Sequence, residues 1–196
     1  MSRRSLAALA AGFALALAAG WLGLPQLLYA RAAQPLSFNH KLHASEATSL
    51  ACQDCHALRE DGSFAGIPPL ASCAGCHAET IGATADEKRL VEEYVKPGRE
   101  IPWLVYSRQP DNVRFPHVVH VKRAGIGCER CHGAHGASET LRPHETNRIS
   151  GYSRDVWGPS LARLGRAAGR GMKMSDCEDC HARHGRPHTS CLACHK

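Results

Sequence analysis

Residues 38–56 read FNHKLHASEATSLACQDCH, and the last five, Cys52-Gln53-Asp54-Cys55-His56, decide how the rest of the chain is read. At the spacing Cys-x-x-Cys-His, two thiols can add to the two vinyl groups of one haem. The histidine that follows is then held beneath the ring, where it can ligate the iron. The pattern recurs at Cys73, Cys76 and His77, at Cys128, Cys131 and His132, at Cys177, Cys180 and His181, and at Cys191, Cys194 and His195. The five motifs use all ten cysteines. A zinc ribbon or a redox pair could use Cys-x-x-Cys, but neither needs a histidine after every second cysteine. A disulfide framework needs none either. The expectation is five covalent c-type haems, held by Cys52, Cys55, Cys73, Cys76, Cys128, Cys131, Cys177, Cys180, Cys191 and Cys194. His56, His77, His132, His181 and His195 are the expected proximal iron ligands.

Ahead of the first motif stands Phe38-x-His40-x-x-His43. Histidines at i and i+3 lie close together on a helical turn, so each can address a different iron. Phe115-Pro116-His117-Val118-Val119-His120 repeats the unit. His43 lies nine residues before Cys52, and His120 lies eight before Cys128. A pair of solvated surface histidines is the bland alternative, and the repetition weighs against it. His40, His43, His117 and His120 are therefore expected as distal ligands. His135, His144, His184 and His188 compete for a fifth place, with His188 favoured. Met172 and Met174 could ligate iron, but eight histidines lie outside the motifs and make that unnecessary. Two imidazoles per iron leave no position for a substrate. That disfavours a multihaem enzyme such as a nitrite or hydroxylamine reductase.

Composition agrees with a haem-filled interior. Aromatic residues make 6% of the 196, and there are 18 glycines and 11 prolines. Such a chain has little apolar side chain for a conventional core. It is expected to be mostly irregular, with short α-helices wrapped around five haems, and largely unfolded without them. The net charge of +6 does not argue for nucleic acid, because haem propionates would offset it. It is read as propionate neutralisation plus a docking surface, with Arg163, Arg166 and Arg170 as one candidate basic face.

Arg3 and Arg4 precede a run from Leu6 to Ala30 without a charged residue. As a helix this run would span about 37 Å, enough for a hydrocarbon core of about 30 Å. The expectation is a transmembrane anchor within residues 1–32, with the haem-bearing part outside the cytoplasm. Ala30-Arg31-Ala32 resembles a cleavage site, but the apolar run exceeds the roughly 7–15 residues of a signal peptide. Two haem modules should follow, residues 33–114 with two motifs and 115–196 with three. Between motifs, residues 61–69 are a Gly- and Pro-rich arm. Thr84 to Glu87 has the capping-box pattern. Leu90, Val91, Tyr94 and Val95 then share a helical face that ends at Pro97-Gly98. Ile101 to Tyr106 looks like an extended strand.

The stretches AGIPP, EIPWLVYSRQPDNVRFPHVVHV and GMKMSDCEDCH, with the two Phe-x-His-x-x-His units, resemble one family of membrane-anchored multihaem cytochromes. Its members are subunits of the menaquinone reductase complex and of the related alternative complex III. The repeated His-x-x-His units also look like class III multihaem cytochromes. The resemblance covers nearly everything from Gln34 to Lys196. It implies a haem domain in the periplasm, on a single-pass anchor in the inner membrane. The implied partners are an iron–sulfur/molybdopterin-oxidoreductase-like subunit, integral quinone-binding membrane subunits and a soluble periplasmic cytochrome c. Menaquinone reductase implies electrons passing from periplasmic cytochromes to menaquinone; alternative complex III implies the reverse, from quinol. The short anchor and compact carboxyl terminus favour the former. The resemblance also raises a sixth haem, for which no sixth motif exists. Other readings are a free-standing anchored quinol dehydrogenase and a soluble haem shuttle.

Overall fold

Ser2 caps the first helix, its hydroxyl accepting the Ser5 N–H. That helix, α1, runs Arg3–Ala18 and continues as a π-helical turn over Ala19–Gly23. In this computed structural model the described residues are 2–23, 27–64, 66–106, 111–149, 174–186 and 190–195. His188, Met172 and the basic run 163–171 lie outside them. No residue of α1 is buried, and Leu6, Leu9, Phe13, Leu15 and Leu17 are all exposed.

The membrane-spanning helix expected over 6–30 does not form at that length. Helix α1 and the π-helical turn that continues it together reach about 30 Å, no more than the thickness of the hydrocarbon layer and less than the span expected. Among the described residues no helix is long and apolar enough to cross a membrane. The physical reason lies at the outer end of the run. Gly20 and Gly23 weaken the helix there, and Tyr29 and Ala30 join a strand instead. This strand, β1 (Tyr29–Ala32), pairs antiparallel with β2 (His144–Asn147). Arg31 stands opposite Glu145, and its Nε donates to Oε1 at 2.9 Å.

The remaining helices are short. They are α2 (His40–His43), α3 (Cys52–Cys55), α4 (Leu70–Ala74), α5 (Ala85–Arg89), α6 (Glu129–His132) and α7 (Met174–Arg183). α5 runs on as a π-helix over Leu90–Val95, and a further π-helix covers Val119–Arg123. Short helices in an irregular chain match the expectation from composition. They cannot stand alone, because isolated helices below about 12 residues are marginal in water.

Among the described residues the buried apolar side chains are Leu36, Leu70, Val91, Tyr94 and Ile101. Leu36, Leu70, Tyr94 and Ile101 form one cluster, against which Leu90, Val95, Trp103 and Cys73 pack. The helical face expected from Leu90, Val91, Tyr94 and Val95 is thus the face that is buried. Ile101 to Tyr106 forms no strand. The Gln34 side chain takes the place of a neighbour there: its Nε2 donates to the Leu104 carbonyl at 2.8 Å, and its Oε1 accepts the Leu104 N–H at 3.0 Å. Tyr94→Ala should cost about 3 kcal/mol. A thermal melt of the haem-loaded protein would read this as a lower midpoint.

Contacts also link the segments on either side of residue 115. The Lys41 N–H donates to the Ser138 carbonyl at 3.0 Å. Gly62, at φ +82, lies so close to Val118 that an added Cβ would sit 3.1 Å from a Val118 methyl. Glycine is needed at this turn for both its backbone angle and its missing side chain.

Candidate haem sites

The motifs share one local structure. In four of them the histidine N–H donates to the carbonyl of the first cysteine: His56 to Cys52, His77 to Cys73, His132 to Cys128 and His195 to Cys191. The fifth, Cys177 to His181, lies inside α7. A single helical turn therefore puts the two thiols on one side, at i and i+3, with the imidazole beside the first, at i+4. None of the ten cysteines is paired in a disulfide. Among the described residues no group of three or more His, Cys, Asp or Glu side chains is placed to hold a metal ion by itself.

The hydrogen bonds of the imidazoles define which nitrogen is available. Nδ1 of His43 donates to the Asn39 carbonyl at 2.8 Å, and Nδ1 of His120 to the Pro116 carbonyl at 3.0 Å. Nδ1 of His56 donates to the Gly66 carbonyl at 3.1 Å. Nδ1 of His77 donates to Oε1 of Glu87 at 3.0 Å. For His40 the partner is the Ser138 hydroxyl at 3.2 Å. That hydroxyl already gives its proton to the His135 carbonyl at 2.7 Å, so it accepts from His40. Carbonyls and carboxylates only accept, so each Nδ1 carries the proton and each Nε2 keeps its lone pair. This is the usual second shell of a metal-binding histidine. His40 is further held neutral, its pKa lowered to about 4 by burial and then by His135, His56 and His43. Burial and His132 lower that of His117.

Ring positions then pair the histidines. Metal–imidazole bonds are about 2.0–2.1 Å long and the ring centre lies roughly 1.1 Å behind the nitrogen, so two imidazoles on one iron have centres about 6.3 Å apart. His43 and His77 are 6.2 Å apart, His117 and His132 6.3 Å, and His120 and His181 6.0 Å. Each pair joins one expected distal ligand to one motif histidine. The donor set and these spans fit haem iron with two axial imidazoles. His40 stands at the same span, 6.3 Å, from His135, which follows no Cys-x-x-Cys.

The duplication seen in the sequence is repeated in space. Phe38 stacks on His43 at 4.3 Å and meets His40 edge-on at 4.8 Å. Phe115 stacks on His120 at 4.4 Å and meets His117 edge-on at 4.9 Å. Each phenylalanine fixes the orientation of both imidazoles after it. A third ring, Phe64, stacks on His117 at 4.6 Å and on His56 at 6.3 Å. It sits at the end of a turn closed by the Leu58–Phe64 bridge.

The thiols give the order of the motifs. Burial, then the neighbouring Cys55, raises the pKa of Cys73. Burial, then Cys128, raises that of Cys52. Burial, then Cys180, raises that of Cys131. Cys177 is pushed up by burial, then by Asp176, Cys131 and Cys194. Neighbouring thiols thus link the second motif to the first, the first to the third, the third to the fourth and the fourth to the fifth. The last is tied back to the Phe115 unit by the Val113–His195 bridge and the Arg114 N–H to Cys194 carbonyl bond, 2.7 Å.

Of the candidates for a fifth distal place, His184 is exposed. His144 bonds Thr146 through Nε2 at 2.7 Å, while its buried Nδ1 has no partner. Sequence reasoning passed over Glu87, Phe64 and the position of His135 opposite His40. Glu87 was read as half of a capping box. Its N–H does bond the Thr84 hydroxyl, at 3.1 Å, but its carboxylate turns to His77 and to the Ile81 and Gly82 N–H groups. A histidine ring is a better partner for a carboxylate than one more backbone N–H at the helix start.

Residues 25–100 match the class III cytochrome c family. The chain is also 39% identical, over 94% of its length and 87% of the relative's, to the menaquinone reductase multihaem cytochrome c subunit of Nitratidesulfovibrio vulgaris strain Hildenborough. With repeated Cys-x-x-Cys-His turns, paired imidazoles and that extent of identity, the chain belongs to the multihaem cytochrome c family of which the menaquinone reductase subunit is a member.

Proposed function

We propose that this protein is the periplasmic electron-transfer subunit of a membrane menaquinone oxidoreductase complex, passing electrons between periplasmic cytochromes and the menaquinone pool. The observation that carries the reading is the near full-length identity to a menaquinone reductase cytochrome subunit. Family membership implies covalently bound c-type haem, which supplies one-electron chemistry when bound. The chain's own residues position and insulate. Five Cys-x-x-Cys-His turns attach, His43, His117 and His120 close the far side of three irons, and Phe38 and Phe115 hold those rings in place. Two imidazoles standing ready for each of three irons favour conduction of electrons over substrate chemistry there, as expected of an electron-transfer subunit rather than an enzyme by itself.

The division into modules 33–114 and 115–196 follows the two phenylalanine-histidine units. The apolar, unburied α1 supports attachment at the inner membrane, with Arg3 and Arg4 on the cytoplasmic side. Its exposed leucines and Phe13 offer an apolar surface to lipid or to the helices of integral quinone-binding subunits. An iron–sulfur/molybdopterin-oxidoreductase-like subunit completes the proposed complex. A haem held without thioether bonds would find its two ligands in His40 and His135.

Mild-detergent purification of the tagged protein from its native membranes tests the reading, with mass spectrometry of what travels with it. Co-purification with a polytopic membrane subunit and an iron–sulfur/molybdopterin-like subunit is expected. Recovery alone, intact and haem-loaded, would replace the proposed complex with an anchored cytochrome that exchanges electrons by collision.

A further inference from the structure

His77 stands apart from the other histidines whose Nδ1 partner is described. His40, His43, His56 and His120 donate to neutral oxygens, a hydroxyl or backbone carbonyls. His77 donates to a carboxylate, Oε1 of Glu87, at 3.0 Å. The contact is shielded: the two side chains are 20% and 11% exposed. It is also fixed in place. Oε1 accepts the Ile81 N–H at 2.8 Å, Oε2 accepts the Gly82 N–H at 2.8 Å, and the Thr84 hydroxyl anchors the Glu87 backbone at 3.1 Å. These bonds favour the ionised carboxylate and lower its pKa, the Ile81 N–H most. The turn 81–87 is thus folded around one negative charge aimed at the back of one imidazole.

We infer that Glu87 is a positioning residue that lowers the reduction potential of the haem carried by Cys73 and Cys76. A carboxylate on Nδ1–H draws the proton toward itself and makes Nε2 a stronger electron donor. A stronger donor and a nearby negative charge both favour ferric over ferrous iron. Hydrogen bonding and charge around the axial ligand are among the means by which a protein sets such potentials. The site concerned ends the row of motifs, next to Cys55. A lowered potential there drives an electron inward, toward Cys52 and Cys55.

The inference rests on the reading of Cys73, Cys76 and His77 as a haem site, so haem content is measured on the same sample. The test is an EPR-monitored redox titration of the haem-loaded Glu87→Gln variant beside the wild type. One low-spin haem should become easier to reduce, its ferrous-to-ferric ratio at the wild-type midpoint rising about tenfold, a shift of about 59 mV for one electron. The other haems should not move, and Glu87→Asp should restore part of the shift. Gly82→Ala is a second route, since its Cβ would lie 2.6 Å from Oε2 of Glu87 and displace the carboxylate without removing its charge. It should shift the same haem in the same direction. Full haem content with unchanged potentials would overturn the inference. So would loss of the haem in both Glu87→Gln and Gly82→Ala, which would make Glu87 a structural cap. A wild-type sample with no haem on Cys73 and Cys76 would instead refute the reading of the site itself.

Discussion

Made without haem attachment, the chain should be unfolded across most of its length. Among the described residues, the five buried apolar ones all lie between 36 and 101. None of the described residues in 111–149 or 174–195 adds to that core. Ordering a residue's backbone costs about 1–2 kcal/mol, whereas a buried side chain of this size returns about 1.5–3 kcal/mol. So small a core cannot hold the helical turns of five motifs, four of them five residues or shorter. Haem surface must replace the missing side chains, so folding and cofactor attachment are coupled. Hydrogen exchange on the cytoplasmically expressed apoprotein should find protection confined to residues 70–101, if anywhere. Protection throughout 111–149 would show that this half carries a core of its own.

His43→Ala and His120→Ala should each convert one haem from low-spin to high-spin. Each removes one imidazole from a pair at iron-spanning distance, 6.2 Å to His77 or 6.0 Å to His181. The neighbours cannot substitute. Phe38 and Phe115 stack on the lost rings and would be left facing the vacated position. EPR and absorbance of the oxidised protein should show one low-spin species lost and one high-spin species gained. The potential of that haem should rise, because the bound histidine favours ferric iron. His184→Ala serves as the control, since His184 is exposed, and should change no haem spectrum. An unaltered low-spin spectrum in His120→Ala would remove His120 from the ligand set.

The motifs and both Phe-x-His-x-x-His units were legible in the sequence because bond formation itself dictates their spacing. Two vinyl groups and one iron admit only a narrow range of separations along the chain. The pairing of the imidazoles was not legible, because His120 meets His181 across 61 positions that no local rule connects. Glu87 was hidden for a related reason: a carboxylate at the start of a helix has an ordinary local use, and only the return of His77 beside it reveals another. The length of the first helix was overestimated because an apolar run reads the same whether its last residues are helical or paired. Tyr29 and Ala30 are drawn into β1 by β2, more than a hundred residues away.

The row of thiols from Cys73 through Cys55, Cys52, Cys128, Cys131 and Cys177 to Cys194 has a consequence for damage. On the proposed function each thiol pair in that row is one station, and the first motif lies between the second and the third. Losing attachment at Cys191 and Cys194 would then remove a terminal station. Losing it at Cys52 and Cys55 would widen the gap between Cys73 and Cys128. The first motif to leave the ribosome thus sits in the interior of the row, where a single lesion is expected to cost the most.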